Sequence, residues 1–205
     1  MDKLKYFVVL DFEATCIKNG TPVPQEIIEF PSVIVDIEKR KVISEFQEYI
    51  KPIFHPILSS FCTELTGITQ KVVDEGSSFE NAIENYKKWL GDNNCIDDNF
   101  VIVTCGNWDL GTIFPEQCSI SNVPHGPPFD KWLNMKTLFC KVFKVPRSGG
   151  MAKMLEQRNL KLLGRHHSGI DDCRNSARLM VDMIENGLME KSMKMKNTKS
   201  PTQRN

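Results

Sequence analysis

The chain has 205 residues, 40% of them hydrophobic and 25% charged, a length and composition that suit one globular domain with a buried core and a short tail. Its 26 basic and 26 acidic side chains cancel, so a nucleic-acid partner gets no support from overall charge and must be argued from a local patch. The seven cysteines (Cys16, Cys62, Cys95, Cys105, Cys118, Cys140 and Cys173) are irregularly spaced, which excludes zinc-ribbon and thioredoxin-like motifs and predicts reduced thiols in a cytoplasmic or nuclear protein. The opening Met-Asp-Lys-Leu-Lys lacks signal-peptide shape, and no stretch approaches the roughly 20 apolar residues of a membrane span. Neither secretion nor membrane insertion is expected.

Residues 6–10, Tyr-Phe-Val-Val-Leu, read as a buried strand that runs into Asp11 and Glu13. Alternation along a strand puts these two acids on one face and Phe12 on the other, toward the core. Like charges at the end of a core strand repel and lose hydration, and a divalent cation would offset both costs. The alternative is a strand that ends in solvent with two acids on its tip. Lys18–Pro24 is a Gly/Pro loop. Glu26–Ile37 reads as a second strand with Pro31 as an irregularity, and Val42–Ile50 as a third, together an antiparallel meander. Helices are predicted over Ile57–Leu65 and from the Ser77-Ser-Phe-Glu80 capping box through Leu90. Phe100–Thr104 is another short strand, followed by a helix near Leu110–Glu116. Residues 124–128 form a loop, Trp132–Val145 reads as mostly helical, and Met151–Gln157 as a short helix. The last helix spans about Gly169–Asn186, with an apolar stripe of Ala177, Met180, Val181 and Ile184. Residues 1–188 thus form one domain, and 189–205 read as a basic, disordered tail. The predicted fold class is α/β, a mixed central sheet flanked by helices.

Acids and a histidine fall at element ends in three distant segments: Asp11 and Glu13, then Asp109, then His167 and Asp172. In α/β sheets, ligand sites gather at strand ends and helix starts. Each has a plainer explanation alone. Asp109 suits a helix cap, Asp171 and Asp172 suit the first turn of a helix, and His167 suits a loop. Together they are harder to dismiss.

Asp11-x-Glu13, Asp109 and His167-x4-Asp172 resemble the DEDDh exonuclease pattern, and in particular the ERI-type 3′→5′ exoribonucleases. The likeness is carried by Val9–Cys16, Gln25–Pro31, Phe61–Thr69, Val103–Leu110 and His167–Cys173, in order over residues 6 to about 187. The His167–Cys173 wording is closest to the family's short members. The resemblance implies an RNase H-like exonuclease fold and a two-metal mechanism, with two Mg²⁺ or Mn²⁺ ions held by Asp11, Glu13, Asp109 and Asp172 and His167 as general base. It selects His167 over His166 and Asp172 over Asp171. It also implies a terminal-nucleotide pocket lined by Glu13, Thr15, Leu65, Thr66, Trp108 and His167. Core packing is the alternative for Leu65 and Trp108. Lys144, Arg147, Lys153 and Arg165 are candidates for phosphate contacts. The expected partner is an RNA 3′ end, the product AMP or another nucleoside monophosphate, and the state monomeric. A DNA 3′-end exonuclease or an idle RNA-binding or protein-interaction module would share this scaffold.

Overall fold

The computed structural model describes residues 4–190. Residues 191–205, most of the predicted tail, lie outside the described residues. Strand β1 (Tyr6–Leu10) is central to the sheet, and its Phe7, Val8, Val9 and Leu10 are all buried. Strand β3 (Ile27–Asp36) runs antiparallel to it on one side, and β5 (Phe100–Thr104) runs parallel on the other. The edge strand β4 (Lys41–Tyr49) pairs antiparallel with β3, so β1, β3 and β4 form the expected meander. A two-residue strand, β2 (Glu13–Ala14), pairs with β3 beyond the end of β1, and β6 (Trp132–Asn134) pairs parallel with β5. The sheet is therefore mixed, as expected.

The continuous apolar runs of β1 and β3 bury both sheet faces. One face carries helix α3 (Phe79–Asp92), whose Tyr86 and Leu90 pack with Phe30, Val8 and Ile102. The other face carries α5 (Met135–Phe143), α6 (Met151–Gln157) and α7 (Gly169–Glu185), through Phe139, Met154 and Met180. Phe12 points into the first of these cores, as alternation requires. It stacks on Phe114 at 5.9 Å between ring centroids and meets Phe30 edge-on at 4.9 Å. An aromatic floor thus lies beneath Asp11 and Glu13.

Several elements differ from the sequence reading. Trp132–Asn134 is a strand rather than the start of a helix. It pairs with Ile102–Thr104, and Asn134 caps α5 by accepting from the Lys136 N–H at 3.0 Å. Helix α1 spans Ser60–Thr66 rather than Ile57–Leu65, because the Ser59 side chain caps it, accepting from the Cys62 N–H. A short helix α2 (Gln70–Asp74) was not anticipated. The helix near Leu110 divides into a wide π-type turn, Asp109–Ile113, and α4 (Phe114–Ile120). Glu13 is on its own short strand rather than on the tip of β1. Strand β3 runs through Pro31 without a break, and its register shifts lie at Ile34/Val35 against β4 and opposite Glu13/Ala14 against β2. Pro31 falls opposite Asp11 and Phe12, where β3 has neither β1 nor β2 beside it.

The loop ahead of α1 is tied down by Glu26, which is 1% exposed. Its carboxylate accepts from the backbone N–H groups of Ile53, Phe54 and His55 at 2.6–3.1 Å. Glu26→Ala would orphan all three donors, so we expect a loss of about 3 kcal/mol in denaturant unfolding, with Glu26→Gln milder. An unchanged unfolding midpoint for Glu26→Ala would contradict this account.

Candidate active site

Strands β1 and β5 are parallel, with Leu10 opposite Thr104, so their C-terminal ends lie side by side. The chain leaves β1 into Asp11 and leaves β5 through Cys105–Trp108 into Asp109. One hydrogen bond fastens the two exits: the Phe12 N–H donates to Asp109 Oδ1 at 3.0 Å. Asp109 is 4% exposed.

The start of α7 is brought to the same place by Glu29, a buried acid on β3 directly opposite Glu13. Glu29 accepts from the N–H groups of Gly169 and Ile170 at 3.1 and 3.3 Å, and from Gln47 Nε2 at 2.8 Å. The approach is close. A Cβ on Gly169 would lie 2.8 Å from Pro31 Cγ and 2.9 Å from Glu29 Oε2, so only glycine fits. One turn further, Asp172 is buried and its Oδ2 accepts from the His167 N–H at 3.0 Å. His167 holds a positive φ of 67°, a conformation disfavoured for a residue with a side chain and common at functional sites.

Asp11, Glu13, Asp109 and Asp172 act electrostatically on one another. Burial pushes the Asp11 carboxyl well above its usual range, and Asp109, Glu13 and Asp172 push it further. Glu13 is raised from 4.5 to about 9, first by burial and then by Glu29, Asp172 and Asp109. Asp109 is raised by burial to about 6, restrained by the Phe12 N–H and by Lys136. Such a set of dehydrated, mutually repelling carboxyls fits hard divalent cations, whose charge would offset the repulsion, while among the described residues the ligand atoms that already lie within 4.8 Å of one another are those of His166, His167 and Asp172. The His167 imidazole is shifted downward, by burial first and then by His166, with Asp172 opposing.

The structure brings Asp11, Glu13, Asp109, Asp172 and His167 together. Among the pocket residues, Trp108 is 41% exposed and Leu65 is half-buried, so both have surface to offer. Thr15 and Thr66 are buried with their hydroxyls engaged inside the protein. Thr15 Oγ1 accepts from the Glu26 N–H, and Thr66 Oγ1 donates to the Cys62 carbonyl. Of the phosphate candidates, Lys153 pairs with Glu156, and Arg165 donates to the carbonyls of Glu64 and Leu65 in α1. Asp171 is a helix-start acid that accepts from the Arg165 N–H and pairs with Arg174.

Three residues near the site escaped the sequence reading. Glu29 had a signal, a charge inside an apolar strand run. Lys136 had none, because only the fold brings α5 beside Asp109. His166 carries no sequence signal for a role, yet its Nδ1 lies 3.1–3.2 Å from both Asp172 oxygens and its ring stacks on His167 at 4.0 Å.

Comparison with known proteins places this geometry. The sequence profile of the Exonuclease (RNase T) family matches residues 8–180. The chain belongs to the exonuclease family. Human ERI1 exoribonuclease 3 is 39% identical over 188 residues, covering 91% of this chain and 56% of that one. The Drosophila melanogaster 3′-5′ exonuclease Snipper is 34% identical, covering 92% and 73%. The chain thus spans little more than half the length of the ERI1 exoribonuclease 3 relatives. Among solved structures, the nuclease domain of 3′hExo, a DEDDh family member bound to rAMP, superposes with a TM-score of 0.84 at 35% identity. That match covers 90% of this chain and 94% of the other. The mixed sheet flanked by helices is the RNase H-like exonuclease fold that the resemblance implied.

The raised carboxyls carry a pH signature. Between pH 4.5 and about 9 the folded protein keeps a proton on Glu13 that the unfolded chain has released. Stability therefore falls as pH rises through that window when no metal is bound. In EDTA the melting temperature should drop by roughly 5 °C or more between pH 5.5 and 8.5. Saturating Mg²⁺ or Mn²⁺ should restore most of the loss. A pH-independent melting temperature that ignores both metals would contradict the electrostatic account.

Proposed function

We propose that this exonuclease-family chain is a metal-dependent 3′→5′ exoribonuclease that releases nucleoside 5′-monophosphates, AMP among them, from RNA 3′ ends. The observation that carries the reading is the meeting of Asp11, Glu13, Asp109 and Asp172 beside His167 at the ends of β1 and β5 and the start of α7. The relative bound to rAMP and the related 3′-exonuclease solved with a histone mRNA stem-loop support an RNA 3′ end as substrate.

In this reading, Asp11, Glu13, Asp109 and Asp172 would hold two Mg²⁺ or Mn²⁺ ions. When bound, these supply Lewis acidity at the scissile phosphate and neutralise charge as it develops. The terminal base stacks on Trp108 and meets Leu65 and Glu13, while Thr15 and Thr66, buried with their hydroxyls engaged, shape the pocket wall rather than bond the nucleotide. A nitrogen of the His167 imidazole takes the proton of the attacking water. The downward shift of His167 favours its neutral, proton-accepting form near pH 7. Water adds to phosphorus, the bond to the 3′-oxygen of the preceding nucleotide breaks, and that oxygen takes a proton from solvent. The shortened strand keeps a 3′-hydroxyl and the released nucleotide keeps the 5′-phosphate. Asp172 accepts from the His167 backbone N–H and so fixes the loop that carries the base. His166 has no catalytic part. Preference for RNA over DNA requires recognition of the 2′-hydroxyl.

Residues 1–188 constitute the exonuclease domain, residues 189–205 a basic appendage, and the chain acts as a monomer. Seven free cysteines support work in the cytoplasm or nucleus. No helix among the described residues is long and apolar enough to cross a membrane.

The test is mononucleotide release from paired RNA and DNA strands of one sequence, with Mg²⁺, Mn²⁺ or EDTA. RNA should be shortened from its 3′ end only with metal, and faster than DNA. His167→Ala should lower kcat by about 10²- to 10⁴-fold, the usual worth of a general base. His166→Ala should retain turnover within several-fold. The reverse order of the two variants would overturn the histidine assignment, and metal-dependent release from DNA alone would overturn the RNA assignment.

A further inference from the structure

We propose that Lys136 is a substrate-binding residue whose ammonium contacts a phosphodiester of the RNA strand 5′ of the scissile bond. The inference rests on the exoribonuclease reading and extends it from the terminal nucleotide to the strand behind it.

Lys136 stands in the first turn of α5, behind the Asn134 cap. A cation there opposes the helix dipole, so helix stability does not account for it. Its side chain is half-buried and reaches the loop that links β5 to Asp109. A Cβ built on Gly106 would lie 3.6 Å from Lys136 Nζ. Gly106 has a φ of +131° and no side chain, so the ammonium comes close to the loop backbone there. The same loop is held to the start of α5, since Asn134 Nδ2 donates to Asn107 Oδ1 at 2.9 Å. It is also braced internally by the Thr104 hydroxyl, which donates to the Gly106 carbonyl at 2.7 Å. Trp108, the proposed stacking platform for the terminal base, follows two residues after Gly106.

The charge environment explains why this cation matters. Lys136 is close enough to Asp109 and Cys105 to attract their negative forms. Yet its ammonium makes no hydrogen bond or ion pair among the described residues; only its backbone N–H is engaged. Other cations near the acids are committed elsewhere: Arg165 to the α1 carbonyls and Arg174 to Glu45 and Asp171. An RNA strand led into a cluster of acids meets repulsion at every phosphate. An uncommitted ammonium on the rim, fixed on a helix and a braced loop, answers that repulsion for the strand before it reaches the acids. Lys136 is placed to do so on the Asp109 side of the site.

The competing role is purely internal, with Lys136 moderating the acid cluster through Asp109. The two roles separate on substrates with and without an upstream strand. The full chain and its Lys136→Met and Lys136→Arg variants are compared on a single-stranded RNA 12-mer and on the p-nitrophenyl ester of uridine 5′-monophosphate. The ester offers one phosphodiester and nothing 5′ of it. For Lys136→Met we expect KM for RNA to rise about 10-fold with kcat changed much less. The slope of log kcat/KM against log salt should flatten by about 0.7, the value for one phosphate contact on a single strand. The loss on the ester should be at least fivefold smaller than on RNA, and Lys136→Arg should recover most of the RNA affinity. Equal losses on both substrates, or an unchanged RNA KM and salt slope, would overturn the contact. A wild-type chain inactive on both substrates would instead overturn the exonuclease reading, and this inference with it.

Discussion

Like-charged carboxylates do not gather in a protein interior unless the backbone forces them to, and here it does so through three sets of N–H donors. Phe12 holds Asp109 against the exit of β1, and His167 holds Asp172 at the start of α7. Gly169 and Ile170 hold Glu29, which brings that helix onto β3 opposite Glu13. Backbone amides are suited to this work, since they are fixed by the fold and carry partial positive charge toward the acids. They position the carboxylates without neutralising them. The repulsion remains, visible in the upward shifts of Asp11, Glu13 and Asp109, and it makes the site ready for cations.

Everything around the site makes that arrangement rigid. The parallel pairing of β1 with β5 sets their ends side by side, and the gap between β1 and β2 lets Phe12 turn its N–H to Asp109 instead of to β3. Below, the buried rings of Phe12, Phe30, Phe114 and Phe129 pack into an apolar floor that raises the cost of bare charge above it. Arg165 joins the histidine loop to the end of α1, at the carbonyls of Glu64 and Leu65. The base that would take a proton and the wall that would hold a nucleotide are thus parts of one connected structure.

Much of this was legible in the sequence, for reasons that differ by element. The buried strands announced themselves by continuous apolar runs, and helix α7 by its stripe and its first-turn acids. The carboxylates and His167 were readable because their order and the spacing from His167 to Asp172 resemble a known pattern. What could not be read depends on contacts between distant segments. Trp132–Asn134 looks helical until β5 offers it an edge, and Glu13 separates from β1 because β3 takes it up. The Thr15 and Thr66 hydroxyls look available until the fold engages them with Glu26 and Cys62. Lys136 carries no local signal, and His166 shows its contact with Asp172 only in three dimensions.

The account's central claim is that these acids are assembled to receive divalent cations. It is tested most directly by titrating Mn²⁺ into the metal-free protein at pH 7 calorimetrically, in buffers of different ionisation enthalpy. Glu13, raised to about 9, keeps its proton at that pH, and a cation must displace it. The account predicts saturable binding of about two ions per chain, as a two-metal site requires, with net proton release. Absence of binding, or binding that releases no proton, would contradict it.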